Sequence, residues 1–291
     1  MTILQSSAFL VVGVVRDCAR SLAIEVARMM RALSGARQIH FFLVESDSTD
    51  DTIKVLQAIR ASTPCFSFIS LGSLDATYPA RTDRIAACRN AYLDKIRQCP
   101  TYSAIDYVVV ADWDGVNNLI TSSAIESCWS RLDWDVCTAN QNGYYYDIWA
   151  LRHALWSPND FELAKKFLRA HGVGRYRSQI AVVMSRMISI SLDSPWIPVE
   201  SAFGGLAIYK RSAIESCSYS GRLPTGETVC EHVPLHMQIN SNGGRIFVNP
   251  AMVNCASVEH TNELSGSAHL LFWLRSSLAD FRDAMMNRLF T

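Results

Sequence analysis

Asp112 and Asp114 flank a tryptophan at the tip of an apolar run, in YVVVADWDGVNN (residues 107–118). Two carboxylates one residue apart at a strand end can present oxygens to a hard divalent cation. Mg2+ or Mn2+ held by one or two carboxylates fills the rest of its shell with water and phosphate oxygens. The spacing therefore suits a metal that grips a diphosphate, and the competing reading is an ordinary surface turn. Trp113 should point away from its two neighbours and pack inward, because successive strand side chains alternate.

The elements that must position this pair alternate in type. AFLVVGVV reads as a first strand, SLAIEVARMMRAL as an amphipathic helix and QIHFFLVE as a second strand. SDSTDDTIKVLQAIR opens a second helix, with Ser48 and Asp51 spaced as a capping box. CFSFISL, RTDRIAACRNAYLDKIR and IDYVVVAD continue as strand, helix and strand. Near-continuously apolar strands alternating with helices predict an α/β fold with a mostly parallel sheet covered on both faces. Ligands of such sheets bind beyond the carboxyl ends of the strands, where Glu45, Asp47, Asp112 and Asp114 fall. After about residue 140 the rhythm loosens. NGYYYDIWALRH and SPWIPVESAFGGLAIYK read as loops around a pocket, ETVCEHVPLHMQINSNGG as a helix closed by glycine, and RIFVNP as a strand.

With 291 residues and 49% hydrophobic content the chain can build a full core. No repeat or linker interrupts it, so one domain is expected: 1–118 and 119–262 as its two halves, then a helix over 263–291. Lys+Arg and Asp+Glu both total 27, so no global field draws nucleic acid. Nine scattered cysteines without a CxxC pair predict reduced thiols rather than a disulfide or zinc framework. The amino-terminal stretch lacks the basic region and cleavage site of a signal peptide, and its apolar run is too short to span a bilayer. A cytoplasmic protein, peripheral to a membrane at most, is the expectation. In the tail, apolar residues at 270, 274, 278, 281, 285 and 289 form a helical stripe, widened by Phe272 and Trp273. Core packing is the first reading, and docking to a membrane or another subunit is the alternative. Arg275, Arg282 and Arg288 suit anionic headgroups, diluted by Asp280 and Asp283.

Taken in order, the motifs resemble those of glycosyltransferases of the GT-A fold over roughly residues 8–262. VVGVVRDCARSL resembles the opening strand whose end, here Val15 and Arg16, meets the nucleotide. FFLVESDSTDDTIKVL is similar to the second-strand motif whose acids, here Glu45 and Asp47, approach base or ribose. ADWD matches the DxD metal site, which also brings Asp112 and Trp113 to the nucleotide sugar. FGGLAIYKRSAI, with Gly204 and Gly205, resembles the acceptor loop. Within the fold the likeness is greatest to the fungal capsule mannosyltransferase group, with its ESxSxDxT-like, RN and YDxxALR-like segments. Here these are Glu45–Thr52, Arg89–Asn90 and Tyr146–Arg152.

The resemblance implies a Mn2+- or Mg2+-dependent transferase using a GDP- or UDP-linked sugar donor and a glycan or lipid-linked acceptor. It implies His260 as a metal ligand completing the site of Asp112 and Asp114, with His232 as the other candidate. Many members have Glu-Asp where this chain has Glu231–His232. Glu231 is the first choice for a base, since a carboxylate can deprotonate an acceptor hydroxyl, and His232 the second. Capping or ion pairing on the helix is the competing reading of Glu231. Arg81, Arg84 and Arg89 could hold phosphate, as arginine favours bidentate contacts, or could face solvent. Tyr144, Tyr145, Tyr146, Asp147 and Trp149 could stack on and hydrogen-bond an acceptor sugar, or could be core.

Three rivals remain open. VVVADWDGV also looks like the first motif of haloacid-dehalogenase-type phosphatases, with Lys165 or Lys166 downstream, although it sits on about the fourth strand instead of the first. A nucleotidyltransferase should carry a glycine-rich loop after the first strand, which VVRDCARS lacks. An inactive nucleotide-sugar-binding module would keep the fold while losing metal or base.

Overall fold

A computed structural model describes residues 2–256 and 266–289. Its centre is an eight-stranded sheet: β1 (Ala8–Val15), β2 (Gln38–Glu45), β3 (Phe66–Ser70), β4 (Tyr107–Ala111), β5 (Val136–Gln141), β6 (Ile197–Val199), β7 (Leu206–Lys210) and β8 (Ile246–Cys255). The strand order is β3-β2-β1-β4-β7-β5-β8-β6. The first four strands pair in parallel, and β5 pairs in parallel with β8. β7 runs antiparallel between β4 and β5, and β6 antiparallel at the edge.

The helices among the described residues are α1 (Ile3–Ser6), α2 (Leu22–Ala32), α3 (Thr52–Ser62), α4 (Arg81–Gln98), α5 (Ser122–Glu126), α6 (Phe161–Ala170), α7 (Arg175–Val182), α8 (Arg211–Ile214), α9 (His232–Ser241) and α10 (Gly266–Leu289). They explain why β1 is apolar on both faces. Ala8, Leu10 and Val12 enter one core with Tyr92, Leu93 and Ile96 of α4. Phe9, Val11 and Val15 enter the other with Leu22, Val26 and Met29 of α2 and Leu56 of α3. The period-two alternation thus feeds two cores, one on each side of the sheet.

Several expectations need correction. No capping box forms at Ser48 and Asp51, because α3 begins only at Thr52 and Asp51 makes no side-chain cap bond. Ser48 Oγ instead accepts from the Asp17 amide at 3.2 Å, and Asp50 Oδ1 accepts from the Thr52 amide at 2.9 Å. AFGGLAIYK is not a loop throughout. Gly204 and Gly205, at φ 71° and 82°, make a left-handed turn, and the residues after it form β7 inside the sheet. β8 runs through Pro250 to Cys255, well past RIFVNP. The tail does form a helix, but its apolar stripe is not core: Leu270, Leu274, Leu278, Phe281 and Met285 are all exposed. No helix among the described residues is long and apolar enough to cross a membrane. All nine cysteines are free.

Candidate active site

A pocket of about 320 Å³ opens beyond the carboxyl ends of β1, β2 and β4, the location the parallel topology dictates. Val15 and Arg16 reach it from β1, Asp47 from the turn after β2, and Asp112, Trp113 and Asp114 from the end of β4. α4 contributes Arg81, Arg84 and Arg89; Tyr146, Asp147 and Trp149 close another side, with Glu231 and His232 at the start of α9.

Asp112 is fixed by its backbone. Its amide donates to the Gly205 carbonyl at 3.0 Å, and its own carbonyl accepts from Asn117 Nδ2 at 2.7 Å. Behind the loop stands Glu25 of α2, 3% exposed, whose two carboxylate oxygens accept from the Gly115 and Asn117 amides at 3.0 and 3.1 Å. Burial raises the Glu25 carboxyl above its ordinary range, and the two amides pull it back. Sequence reasoning missed this residue. The signal was present, because Glu25 occupies the apolar face of α2 with Leu22, Val26 and Met29. Trp113 is 2% exposed, and its indole lies over Gly13: a Cβ there would sit 2.1 Å from Trp113 Nε1. Glycine in the middle of β1 is what lets that tryptophan turn inward.

Arg89 ties the pocket's two halves together. It is 3% exposed, so it is neither a solvated helix residue nor an open phosphate ligand. Its Nε donates to Glu231 Oε1 at 2.9 Å and its Nη2 to Asp112 Oδ1 at 3.2 Å. Phe203 and Tyr219 face the guanidinium at 5.3 and 5.6 Å. A cation so deeply buried persists because two carboxylates compensate it. Burial pushes the Asp112 carboxyl up to about 7; Arg89 opposes this, while Asp114, Glu231 and Asp147 add repulsion. Glu231 stands at the N-cap position of α9 yet makes no side-chain cap bond, so ion pairing describes its resting state.

His232 is 1% exposed and stacked on Phe203 at 3.9 Å, and neither ring nitrogen has a hydrogen-bond partner. Burial, with Arg89 and His236 adding to it, holds its pKa well below the ordinary value, so the ring is neutral. Of the other arginines, Arg84 donates to the Tyr78 and Pro79 carbonyls, whereas Arg81 and Arg16 stand exposed at the rim. Glu45 does not join them. It is 1% exposed, with one oxygen accepting from the Ser48 amide at 3.0 Å and the other from Ser70 Oγ, which makes it a brace between β2 and β3. The tyrosine cluster divides. Tyr145 is fully buried, Tyr144 faces outward, and Tyr146 lines the pocket with Asp147 and Trp149.

Gly204 and Gly205 lie behind the wall. The Gly204 amide donates to Asp147 Oδ2 at 2.9 Å, and a Cβ on Gly205 would meet Tyr146 Oη at 2.7 Å. They shape the acceptor-side residues and are not part of the pocket lining.

His260 lies outside the described residues. Among those described, no group of three or more His, Cys, Asp and Glu side chains is placed to hold a metal. The donor chemistry nevertheless suits one: Asp112, Asp114, Asp147 and Glu231 line the pocket with the buried guanidinium of Arg89 between two of them. Carboxylate oxygens in excess of the one guanidinium are the hard donors a divalent cation takes. Lys165 and Lys166, the lysines a phosphatase would need here, border a different cleft between α6 and α7.

No family model matches the sequence, and no curated protein matches it. Solved structures match in fold. TarS 1–349 of S. aureus superposes with a TM-score of 0.50 at 13% identity, over 86% of this chain and 60% of that one. The same protein in complex with UDP gives 0.50 at 12% identity, over 86% and 60%. Mannosyltransferase PcManGT from Pyrobaculum calidifontis, in complex with GDP-Man and Mn2+, gives 0.50 at 12% identity, over 87% and 57%. This chain spans about three-fifths of the length of these three structures. Its mostly parallel eight-stranded sheet, flanked by helices, matches the fold of GT-A glycosyltransferases.

Proposed function

We propose that the chain is a metal-dependent glycosyltransferase that moves a sugar from a nucleotide-diphosphate donor to a carbohydrate or lipid-linked acceptor. Residues 1–118 bind the nucleotide and 119–262 the acceptor. The observation that carries this reading is the Arg89 bridge. It joins Asp112, at the tip of the nucleotide half, to Glu231, in the acceptor half, across one pocket at the strand ends.

Asp112 and Asp114 would hold Mn2+ or Mg2+, with His260 the expected third protein ligand. When bound, the cation offsets negative charge on the diphosphate as it leaves. Arg81 and Arg16, exposed at the rim, attract the phosphates, and Asp47 faces the nucleoside. Tyr146, Asp147 and Trp149 orient the acceptor sugar by stacking and hydrogen bonds. The acceptor oxygen forms a bond to the anomeric carbon as the bond from that carbon to the phosphate oxygen breaks. In an inverting reaction Glu231 takes the hydroxyl proton through the oxygen not bonded to Arg89. Arg89 fixes that carboxylate through its other oxygen and keeps it aimed at the acceptor. His232, neutral and stacked, packs beneath Glu231 and is the weaker candidate for base. The likeness to capsule mannosyltransferases makes GDP-mannose the first donor to try.

The test is thermal stability with UDP-, GDP-, CMP- and dTDP-sugars, each with Mn2+ and with EDTA. A ligand of the native state raises the melting temperature by mass action. One nucleotide class should stabilise the protein with Mn2+ only, and not in Asp114→Ala. Stabilisation by vanadate and by no nucleotide would assign the aspartates to a phosphatase instead.

A further inference from the structure

The carboxyl-terminal helix is attached the wrong way round for a self-sufficient globular protein. At 3.6 residues per turn, Leu270, Leu274, Leu278, Phe281 and Met285 of α10 lie along one line, and they are 57%, 42%, 67%, 65% and 50% exposed. The opposite line carries Ser276, 7% exposed, and Asp280. Those polar residues make the attachment. Asp280 Oδ2 accepts from the Arg175 amide at 2.8 Å, and Oδ1 lies 3.7 Å from Arg175 Nε. The polar side is therefore bound to α7 and the apolar side faces away from the body, the reverse of a core-packed helix.

We propose that α10, together with the outward side of α6, docks on an anionic lipid bilayer, lying in its interface. Charge selects this occupant. Arg275 and Arg282, two turns apart, are exposed on one flank of the apolar line. Trp273, 44% exposed, stands on the other, the kind of residue that settles at headgroup depth. α6 repeats the combination: Leu163 and Phe167 are 38% and 63% exposed, with Lys166 and Arg169 exposed beside them. The two helices border one cleft of about 480 Å³; in it Lys165 pairs with Glu162 at 2.6 Å and Arg175 with Asp280, so the cationic side chains that face outward are Lys166 and Arg169. A second copy packed face to face with its α10 antiparallel would bring the arginine flanks of the two helices together. Anionic headgroups complement them, while the acyl boundary covers the leucines. This inference does not depend on what the carboxylate pocket binds, and it brings a lipid-linked acceptor and the protein to the same surface.

Co-sedimentation of the full chain with vesicles decides it, using phosphatidylcholine alone and phosphatidylcholine mixed with phosphatidylglycerol. The protein should bind the mixed vesicles at least about ten-fold more tightly, and Arg275→Ala should weaken that roughly five-fold. Leu278→Glu with Phe281→Glu should abolish it at an unchanged melting temperature, since both side chains are exposed. Equal binding to both vesicle types, or undiminished binding by the double variant, would overturn the proposal. So would a dimer, seen by light scattering, that the double variant dissolves.

Discussion

Arg89 and Glu231, 142 positions apart in the chain, meet at 2.9 Å with almost no access to water. The pair joins α4 to the start of α9, and the same guanidinium reaches Asp112 at the end of β4. Three elements on different parts of the sheet thus share one cation at the floor of the pocket. Removing it leaves the buried Glu231 carboxylate facing Asp112 with no cation between them.

Arg89→Met should accordingly cost about 3–5 kcal/mol of stability, as expected when one partner of a buried ion pair is deleted. Arg89→Lys should recover only part of this, because one ammonium cannot reproduce two divergent N–H contacts. Urea denaturation of the three proteins at neutral pH measures both values.

Glu25 supports the aspartate loop from behind. Glu25→Ala strips the acceptors from two backbone amides and should cost about 1–3 kcal/mol. Glu25→Gln, which keeps one acceptor, should fall between. If Asp112 and Asp114 hold the cation, Glu25→Ala should also reduce the Mn2+-dependent rise in melting temperature given by the nucleotide, although Glu25 lies behind the loop.

Gly13→Ala places a methyl group 2.1 Å from Trp113 Nε1 and 2.3 Å from the Ala111 carbonyl oxygen. Overpacking of that kind should cost about 1–3 kcal/mol. The near-ultraviolet circular dichroism of the tryptophans should change with it, since the indole must leave its seat.

Acid should destabilise the fold through α9. His236 is fully buried, with its ring nitrogens each 2.8 Å from a hydroxyl, of Ser201 and Tyr209, and burial pushes its pKa down to about 3. Between the ordinary value of 6.5 and that level the unfolded chain holds a proton which the folded chain refuses. The stability it contributes is therefore complete above pH 6.5 and is lost as the pH falls toward 3, on the order of a few kcal/mol in total. Denaturation midpoints of wild type and His236→Gln should fall apart less at pH 4.5 than at pH 7, a gap that would stay constant if the histidine titrated normally.

The sheet's first half was legible in the sequence because its strands are buried on both faces and spell themselves out in Val, Leu and Phe. β5 was not, because Thr138, Asn140 and Gln141 are polar and buried. Their hydrogen-bond partners, the Phe247, Pro250, Ile190 and Gly204 carbonyls and Asn254, come from residues fifty to more than a hundred positions away. β7 was hidden by its shortness and by the two glycines before it. The same distinction governs the site. Strand-end position brought out Asp112 and Asp114, but also Glu45, which local serines turn into a brace. From sequence Arg89 reads as a phosphate ligand or as a solvated helix residue, and only the tertiary fold reveals that its partners are carboxylates. The stripe on α10 is legible in the spacing of its apolar residues. Which side of it meets the body depends on Asp280 and Arg175, which no periodicity reports.

The central claim is that the pocket transfers sugar from a nucleotide donor, and release of the nucleotide diphosphate tests it most directly. Incubated with a panel of nucleotide sugars and Mn2+, the protein should liberate the diphosphate from one class of donor. EDTA, Asp112→Asn and Asp114→Ala should each suppress the release. No release from any donor, together with metal-dependent hydrolysis of p-nitrophenyl phosphate that fails in Asp112→Asn, would contradict the account.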